Sequence, residues 1–260
     1  MSAQMVALGG RQLGLVRGRL GEPPPLVPLL LLHGAGGAAR NFGSLLRRLP
    51  STAAALDLPG HGRSGGQPLV RLEQVVELVR ELLPALWPEA ERVVLGGHSL
   101  GGALALAAAA RARSEGWRPE VAGFVGLGVA ERLALGERYA ELAARDFPRL
   151  LEVLAHQGVP AATLGQLRQA GPAAVAADLR MAHGHALGPD AERFGRPALL
   201  VAGEADPIAP PASVRALAAR LQQVRLVVLP GVGHLPMVEA PEAVAREVLS
   251  FVRDCSRGAA

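Results

Sequence analysis

The sequence predicts an α/β fold, a mostly parallel twisted sheet with helices on both faces, and three observations carry that expectation. Short, nearly continuous apolar runs recur along the chain, as strands covered on both faces require. Between them lie stretches of roughly 10–15 residues with helical periodicity, and this alternation implies βαβ units. The composition, 50% hydrophobic and 19% charged over 260 residues, suits one domain with a sizeable core.

The elements follow in order. An N-terminal hairpin is expected over 4–19, and Pro23-Pro24-Pro25 reads as the turn into the first core strand. Strands are expected at Val27–Leu32, Ala53–Leu56, Arg92–Leu95, Val121–Leu127, Pro197–Val201 and Arg225–Leu229, where apolar runs are bounded by Gly, Pro or charge. Helices are expected near 39–49, 71–87, 100–115, 210–223 and 241–253. From Val129 to Phe194 the alternation stops, because the pattern there is Ala/Leu-rich and helical without a convincing strand. That stretch divides the chain into an α/β core over 1–128 and 195–260 and a helical insertion over 129–194. Leu133, Leu142, Leu150, Leu151, Leu154, Leu164, Leu167 and Leu179 can build apolar faces in the insertion, and Pro148, Pro160, Pro172 and Pro189 punctuate its helices. It reads either as extra core-covering helices or as a lid over a site at the C-terminal edge of the sheet.

Composition removes several function classes. The charge balance is +4 and every basic residue is Arg, but the arginines alternate with Asp and Glu, as in Arg80-Glu81 and Glu91-Arg92. That is a solvated face rather than a nucleic-acid surface, and 3% aromatics leave no base-stacking platform. The apolar runs Leu26–Leu32 and Leu100–Ala110 fall short of the ~20 residues of a spanning helix, so no membrane association is expected. No signal-peptide pattern opens the chain and Cys255 is the single cysteine, so a cytoplasmic protein without a disulfide is expected. Zinc-type spacings and the Walker lysine are absent, and Gly34-Ala35-Gly36-Gly37-Ala38-Ala39 lacks the last glycine of a dinucleotide fingerprint, so no cofactor or metal is expected.

Chemistry concentrates at Gly97-His98-Ser99-Leu100-Gly101. With 32 glycines and nine serines in the chain, G-x-S-x-G arises by chance in about one such sequence in seven, so context decides. Here a strand run, Arg92–Gly96, leads into the motif, and a strong helix former, Leu100–Ala110, leaves it; that is the setting of a sharp turn exposing a nucleophilic Ser99. A serine hydroxyl needs a base oriented by a carboxylate. Among seven histidines, His234 stands on the glycine-flanked loop after the last strand, whereas His98 reads as a packing residue, His183 and His185 as surface or cavity-lining residues of the insertion, and His156 has no supporting context. Between Ser99 and His234, Asp206 follows the strand Pro197–Val201 on a turn and is the leading acid, with Glu204 and Glu131 as competitors. His33-Gly34-Ala35-Gly36-Gly37 follows the first core strand, and the amides of Ala35 and Leu100 are candidate oxyanion donors.

Taken with Asp57-Leu58-Pro59-Gly60-His61-Gly62-Arg63-Ser64, Gly203-Glu204-Ala205-Asp206 and Gly233-His234, these motifs occur in the order found in the α/β-hydrolase superfamily, which the chain resembles over nearly its whole length. The resemblance implies a structural role for Asp57–Ser64. It also prunes branches: Ser99 stands where haloalkane dehalogenases and epoxide hydrolases carry Asp, Ala103 stands where prolyl aminopeptidases carry Trp, and the lysine-assisted hydroxynitrile lyases need a residue type that is missing. What remains is an intracellular serine esterase acting on a small carboxylic ester, lactone or thioester. The near-neutral insertion, seven Arg against eight acidic residues, favours a neutral acyl ester over a strongly anionic one. The alternatives are a ligand-sensing or partner-binding protein with slow turnover, and a cofactor-free perhydrolase. Oligomeric state has no signature in the sequence.

Overall fold

In the computed structural model, which describes residues 2–19, 21, 26–132, 137–159, 161–183 and 185–258, eight strands form one sheet. These are β1 Ser2–Leu8, β2 Arg11–Arg17, β3 Leu29–Leu32, β4 Ala53–Leu56, β5 Arg92–His98, β6 Glu120–Leu127, β7 Pro197–Gly203 and β8 Gln223–Leu229. Their order across the sheet is β1-β2-β4-β3-β5-β6-β7-β8. The expected hairpin is β1–β2; it adds to β4 antiparallel, and every later pairing is parallel. The turn at Pro23-Pro24-Pro25 lies outside the described residues.

Alternation along the strands explains why they read as unbroken apolar runs. Leu30, Leu32, Ala54, Leu56, Leu95 and Leu200 join one core layer, and their neighbours Leu29, Leu31, Ala53, Ala55, Val94 and Leu199 join the other. The first layer is closed by α2 (Leu72–Leu86), α3 (Leu100–Glu115) and α8 (Pro211–Ala218), the second by α1 (Gly43–Leu46), α9 (Pro236–Glu239) and α10 (Pro241–Arg257). The helix expected over 39–49 is instead a 3₁₀ turn, Ala39–Phe42, running into the single turn of α1. Side chains intercept its first amides, because Asn41 accepts the Ala38 N–H at 3.1 Å and Asp57 accepts that of Ala39 at 2.6 Å.

The insertion folds as α4 (Glu137–Arg145), α5 (Phe147–His156), α6 (Ala161–His183) and α7 (Gly188–Phe194). Pro148 and Pro189 stand in the first turns of α5 and α7, where a missing N–H costs nothing, and α6 breaks at Gly171 just before Pro172. Leu133 and Pro160 lie outside the described residues. The segment divides between two cores. Leu150, Leu154, Leu164, Leu167, Val175 and Leu179 form a core of their own, while Met181, Leu187, Ala191 and Phe194 pack in the main core beside α3. Thus α7 covers the sheet, whereas the segment 137–179, termed the cap, builds an apolar cluster that meets the core at Ala35 and Ile208. Among the described residues no helix is long and apolar enough to cross a membrane.

Candidate active site

The site forms where β5 turns into α3. Ser99 has φ 51° and ψ −122°, the only positive φ at a non-glycine among the described residues. Such a conformation costs about 1–3 kcal/mol and persists only where its surroundings over-determine it. They do so here. The Ser99 N–H donates to the Leu127 carbonyl at 3.0 Å, and the Ser99 carbonyl accepts from Ala103 N–H at 3.0 Å. The flanking glycines are required by close approach: a Cβ on Gly97 would lie 2.4 Å from the Gly101 backbone, and one on Gly101 would lie 2.2 Å from the Leu32 carbonyl oxygen.

Loops after β7 and β8 bring in the other two residues. Asp206 Oδ1 accepts the Ile208 and Ala209 amides at 2.8 and 2.9 Å, a turn closed by its own side chain, while Oδ2 accepts His234 Nδ1–H at 2.7 Å. Burial works against the Asp206 charge, but His234 and the two amides outweigh it and hold the carboxyl below its ordinary range. The bond at Nδ1 leaves Nε2 as the ring nitrogen not engaged by Asp206, and His234, Ser99 and Ala35 line one cavity together. That cavity holds about 60 Å³, and Leu150, Leu154, Val159, Leu167 and Val175 of the cap segment form its apolar wall.

The competing residues lie elsewhere in the network. Glu204 accepts the Gly231 amide at 3.0 Å, and Glu131 pairs with Arg220 at 3.4 Å. His185 meets Asp190 at 2.6 Å, His156 bonds the Glu152 carbonyl, and His183 is exposed. His98 does more than pack: its Nε2–H donates to the His234 carbonyl at 2.7 Å, and burial together with the neighbouring His234 lowers its pKa to about 3, keeping the ring neutral. Sequence reasoning gave Glu239 no role; its two oxygens accept the Gly233 and Leu235 amides at 2.6 and 2.9 Å, gripping the loop on both sides of His234.

In the loop after β3, Gly37 N–H closes a turn on the Gly34 carbonyl at 2.9 Å and Gly36 N–H donates to Asp178 Oδ2 at 2.7 Å, while Ala35 N–H has no acceptor among the described residues. Leu100 is the first residue of α3, where a helix leaves its N–H without an intrahelical acceptor. The Asp57–Ser64 loop is knitted to this region: Asp57 takes the Ala39 and Arg63 amides, Ser64 Oγ takes the Gly14 amide at 2.8 Å, and Leu58 N–H donates to His33 Nε2 at 3.1 Å.

The sequence profile of the alpha/beta hydrolase family matches residues 29–247. The chain belongs to the alpha/beta hydrolase family. Among related hydrolases, a pimeloyl-[acyl-carrier protein] methyl ester esterase of Nitrosospira multiformis is 32% identical over 280 residues, covering 93% of this chain and 99% of the relative. The dihydrolipoyllysine-residue acetyltransferase component of the acetoin cleaving system of Pseudomonas putida is 30% identical over 244 residues, and the match takes in 87% of this chain but 63% of that protein. The enol-lactonase of Burkholderia xenovorans LB400 superposes with a TM-score of 0.79 at 22% identity, covering 96% of this chain and 100% of the lactonase, and so shares the hydrolase fold.

Proposed function

We propose that this carboxylic ester hydrolase cleaves its substrate through an acyl-enzyme formed on Ser99, with His234 as base and Asp206 as the residue that orients and stabilises it. The observation that carries the proposal is the strained Ser99 facing the same cavity as a His234 whose Nδ1 is taken by a buried carboxylate. In this mechanism His234 Nε2 accepts the Ser99 proton as Oγ bonds to the ester carbonyl carbon, and Asp206 stabilises the resulting imidazolium. The amides of Ala35 and Leu100 receive the negative charge that develops on the carbonyl oxygen. His234 then gives its proton to the departing alcohol, and the same sequence with water as nucleophile releases the acid and restores Ser99.

The substrate is a small carboxylic ester, lactone or thioester with a neutral acyl group. An apolar wall suits an uncharged chain, and among the described residues no arginine or acidic side chain lines the cavity to partner a charged one. The segment 137–179 acts as a lid in this reading, since its side chains supply that wall.

The test is a comparison of the parent with Ser99→Ala on p-nitrophenyl acetate and butyrate, together with fluorophosphonate labelling followed by peptide mass mapping. The expected result is a loss of about 10³-fold or more with an unchanged thermal midpoint, and a covalent adduct on Ser99 alone. Activity within tenfold of the parent in the folded variant, or labelling elsewhere, overturns the assignment.

A further inference from the structure

Two successive peptide planes define the loop that carries Ala35, and they are held from different parts of the molecule. In the first plane the Gly34 carbonyl accepts from Gly37 N–H and from His33 Nδ1–H, both at 2.9 Å. The peptide is planar and trans, so fixing that carbonyl also fixes the opposite direction of the Ala35 N–H. His33 can donate from Nδ1 because Nε2 accepts the Leu58 amide, and burial lowers its pKa to about 4, so the ring is neutral. In the second plane the Gly36 N–H is held at 2.7 Å by Asp178, which belongs to α6 and stands 142 residues away.

Asp178 is 2% exposed and makes a second contact through the same oxygen, to His61 Nε2 at 3.0 Å. The other His61 nitrogen faces the Pro59 carbonyl at 3.1 Å. Both ring nitrogens therefore point at acceptors, and both bonds form only if both nitrogens carry protons, which makes His61 an imidazolium. The charged and titratable groups around it are Asp178 from α6, Asp57 from its own loop, and neutral His33 at a ring separation of 4.9 Å. Burial disfavours the His61 charge, but the bond to Asp178 and the negative field of Asp178 outweigh it and raise its pKa above the ordinary histidine value.

We infer that Asp178 is a positioning residue for the Ala35 donor: carried on the cap and neutralised by His61, it locks the loop that shapes the oxyanion site. The inference rests on the assignment of Ala35 above. Its consequence is that an element outside the α/β core sets the aim of a donor inside it. Losing one His61 proton leaves a single N–H: kept on Nε2 it still donates to Asp178 but without the charge, and Nδ1 is left facing the Pro59 carbonyl acceptor to acceptor, which loosens the clamp. The contribution of the pair to stability and to loop order is therefore complete below pH 6.5 and lost as pH rises through the higher pKa of folded His61.

Asp178→Asn tests this, because the amide keeps the shape and one acceptor but removes the charge. The parent is first shown to label on Ser99 and to hydrolyse p-nitrophenyl acetate, so that failure of the triad assignment is recognised separately. In the variant kcat should fall about 10- to 100-fold with KM within threefold, and affinity for a trifluoromethyl ketone, which needs the oxyanion donors, should fall in proportion. A folded variant whose kcat and ketone affinity stay within twofold of the parent, or whose loss lies only in KM, overturns the inference. If Asp178→Asn does not fold, His61→Gln carries the test. The glutamine can donate one uncharged hydrogen bond, so kcat at pH 7 should fall at least fivefold and the alkaline decline of the parent should vanish. A parental kcat and pH profile in His61→Gln overturns the inference.

Discussion

Adding one methyl group at Gly101 should disable the enzyme without touching any polar group. A Cβ there would lie 2.2 Å from the Leu32 carbonyl oxygen, 2.3 Å from that of His33 and 2.5 Å from the Leu32 carbonyl carbon, all of them backbone atoms. Real Cβ contacts do not fall below about 3 Å, so α3 must withdraw from β3 by about 0.8–1 Å. Its other faces are packed against α2 and α7 and have no room to give. Overpacking of this kind costs about 3 kcal/mol, which for a domain of this size lowers the thermal midpoint by about 6–12 °C. Ser99 directly precedes α3 as its N-cap, so its hydroxyl moves with the helix, and a displacement near 1 Å costs about 10²-fold in rate. The assays are thermal unfolding and kcat on a short p-nitrophenyl ester. Gly165→Ala is the control, because nothing lies within 4 Å of a Cβ at that helical position, and it should stabilise by up to about 1 kcal/mol. The reasoning fails if Gly101→Ala unfolds within 2 °C of the parent and turns over within threefold of it.

Asp206→Asn should lower kcat by about 10³- to 10⁴-fold, whereas Glu204→Gln should leave it within a few-fold; kinetics showing Glu204→Gln as the more damaging change would reverse the assignment of the acid. Because the pKa of Asp206 is lowered on folding, its stabilising contribution is present above its ordinary value of 3.8 and lost as acid takes the pH through its folded value, so Asp206→Asn should flatten the acid limb of a pH–stability curve. Thr163 lines the cavity with a buried Oγ1 that has no hydrogen-bond partner among the described residues, and Thr163→Val should stabilise by about 1 kcal/mol in chemical denaturation. Replacing 137–179 by a short Gly/Ser linker should abolish the parental increase of about fourfold in affinity per added acyl methylene while sparing some acetate-ester hydrolysis, as measured with a series of acyl lengths; a parental profile would mean the segment is no lid.

The elements and the site residues differ in how far they could be read from the chain. Strand β5, the turn at Ser99 and helix α3 are contiguous, and glycine spacing marks the turn directly, so local chemistry was enough to find it. The loop positions of Asp206 and His234 were legible because each follows an apolar strand run on a turn-rich loop. The extent of the insertion was not. Leu187, Ala191 and Phe194 have the same Ala/Leu-rich surroundings as the cap residues, and only tertiary packing assigns α7 to the main core. Likewise, the 3₁₀ turn before α1 is held at its first amide by Asp57, 18 residues further along the chain, which carries no local signal of it. The pair His61 and Asp178 is separated by 117 residues, and neither carries a local signal of the other. Glu239 is different, since a carboxylate five residues after His234 was open to a capping reading, and it grips the two amides that flank the histidine.

The bond from His98 to the His234 carbonyl makes a closed circuit of the proposed catalytic pair. His98 precedes Ser99 in the chain, and its ring reaches the backbone of the very residue proposed to deprotonate that serine. The path from nucleophile to base is thus one peptide link, one imidazole ring and one hydrogen bond, far shorter than the route through the sheet and two loops. Twisting of β7 and β8 relative to β5 therefore strains this bond as well as the sheet, which opposes separation of Ser99 from His234.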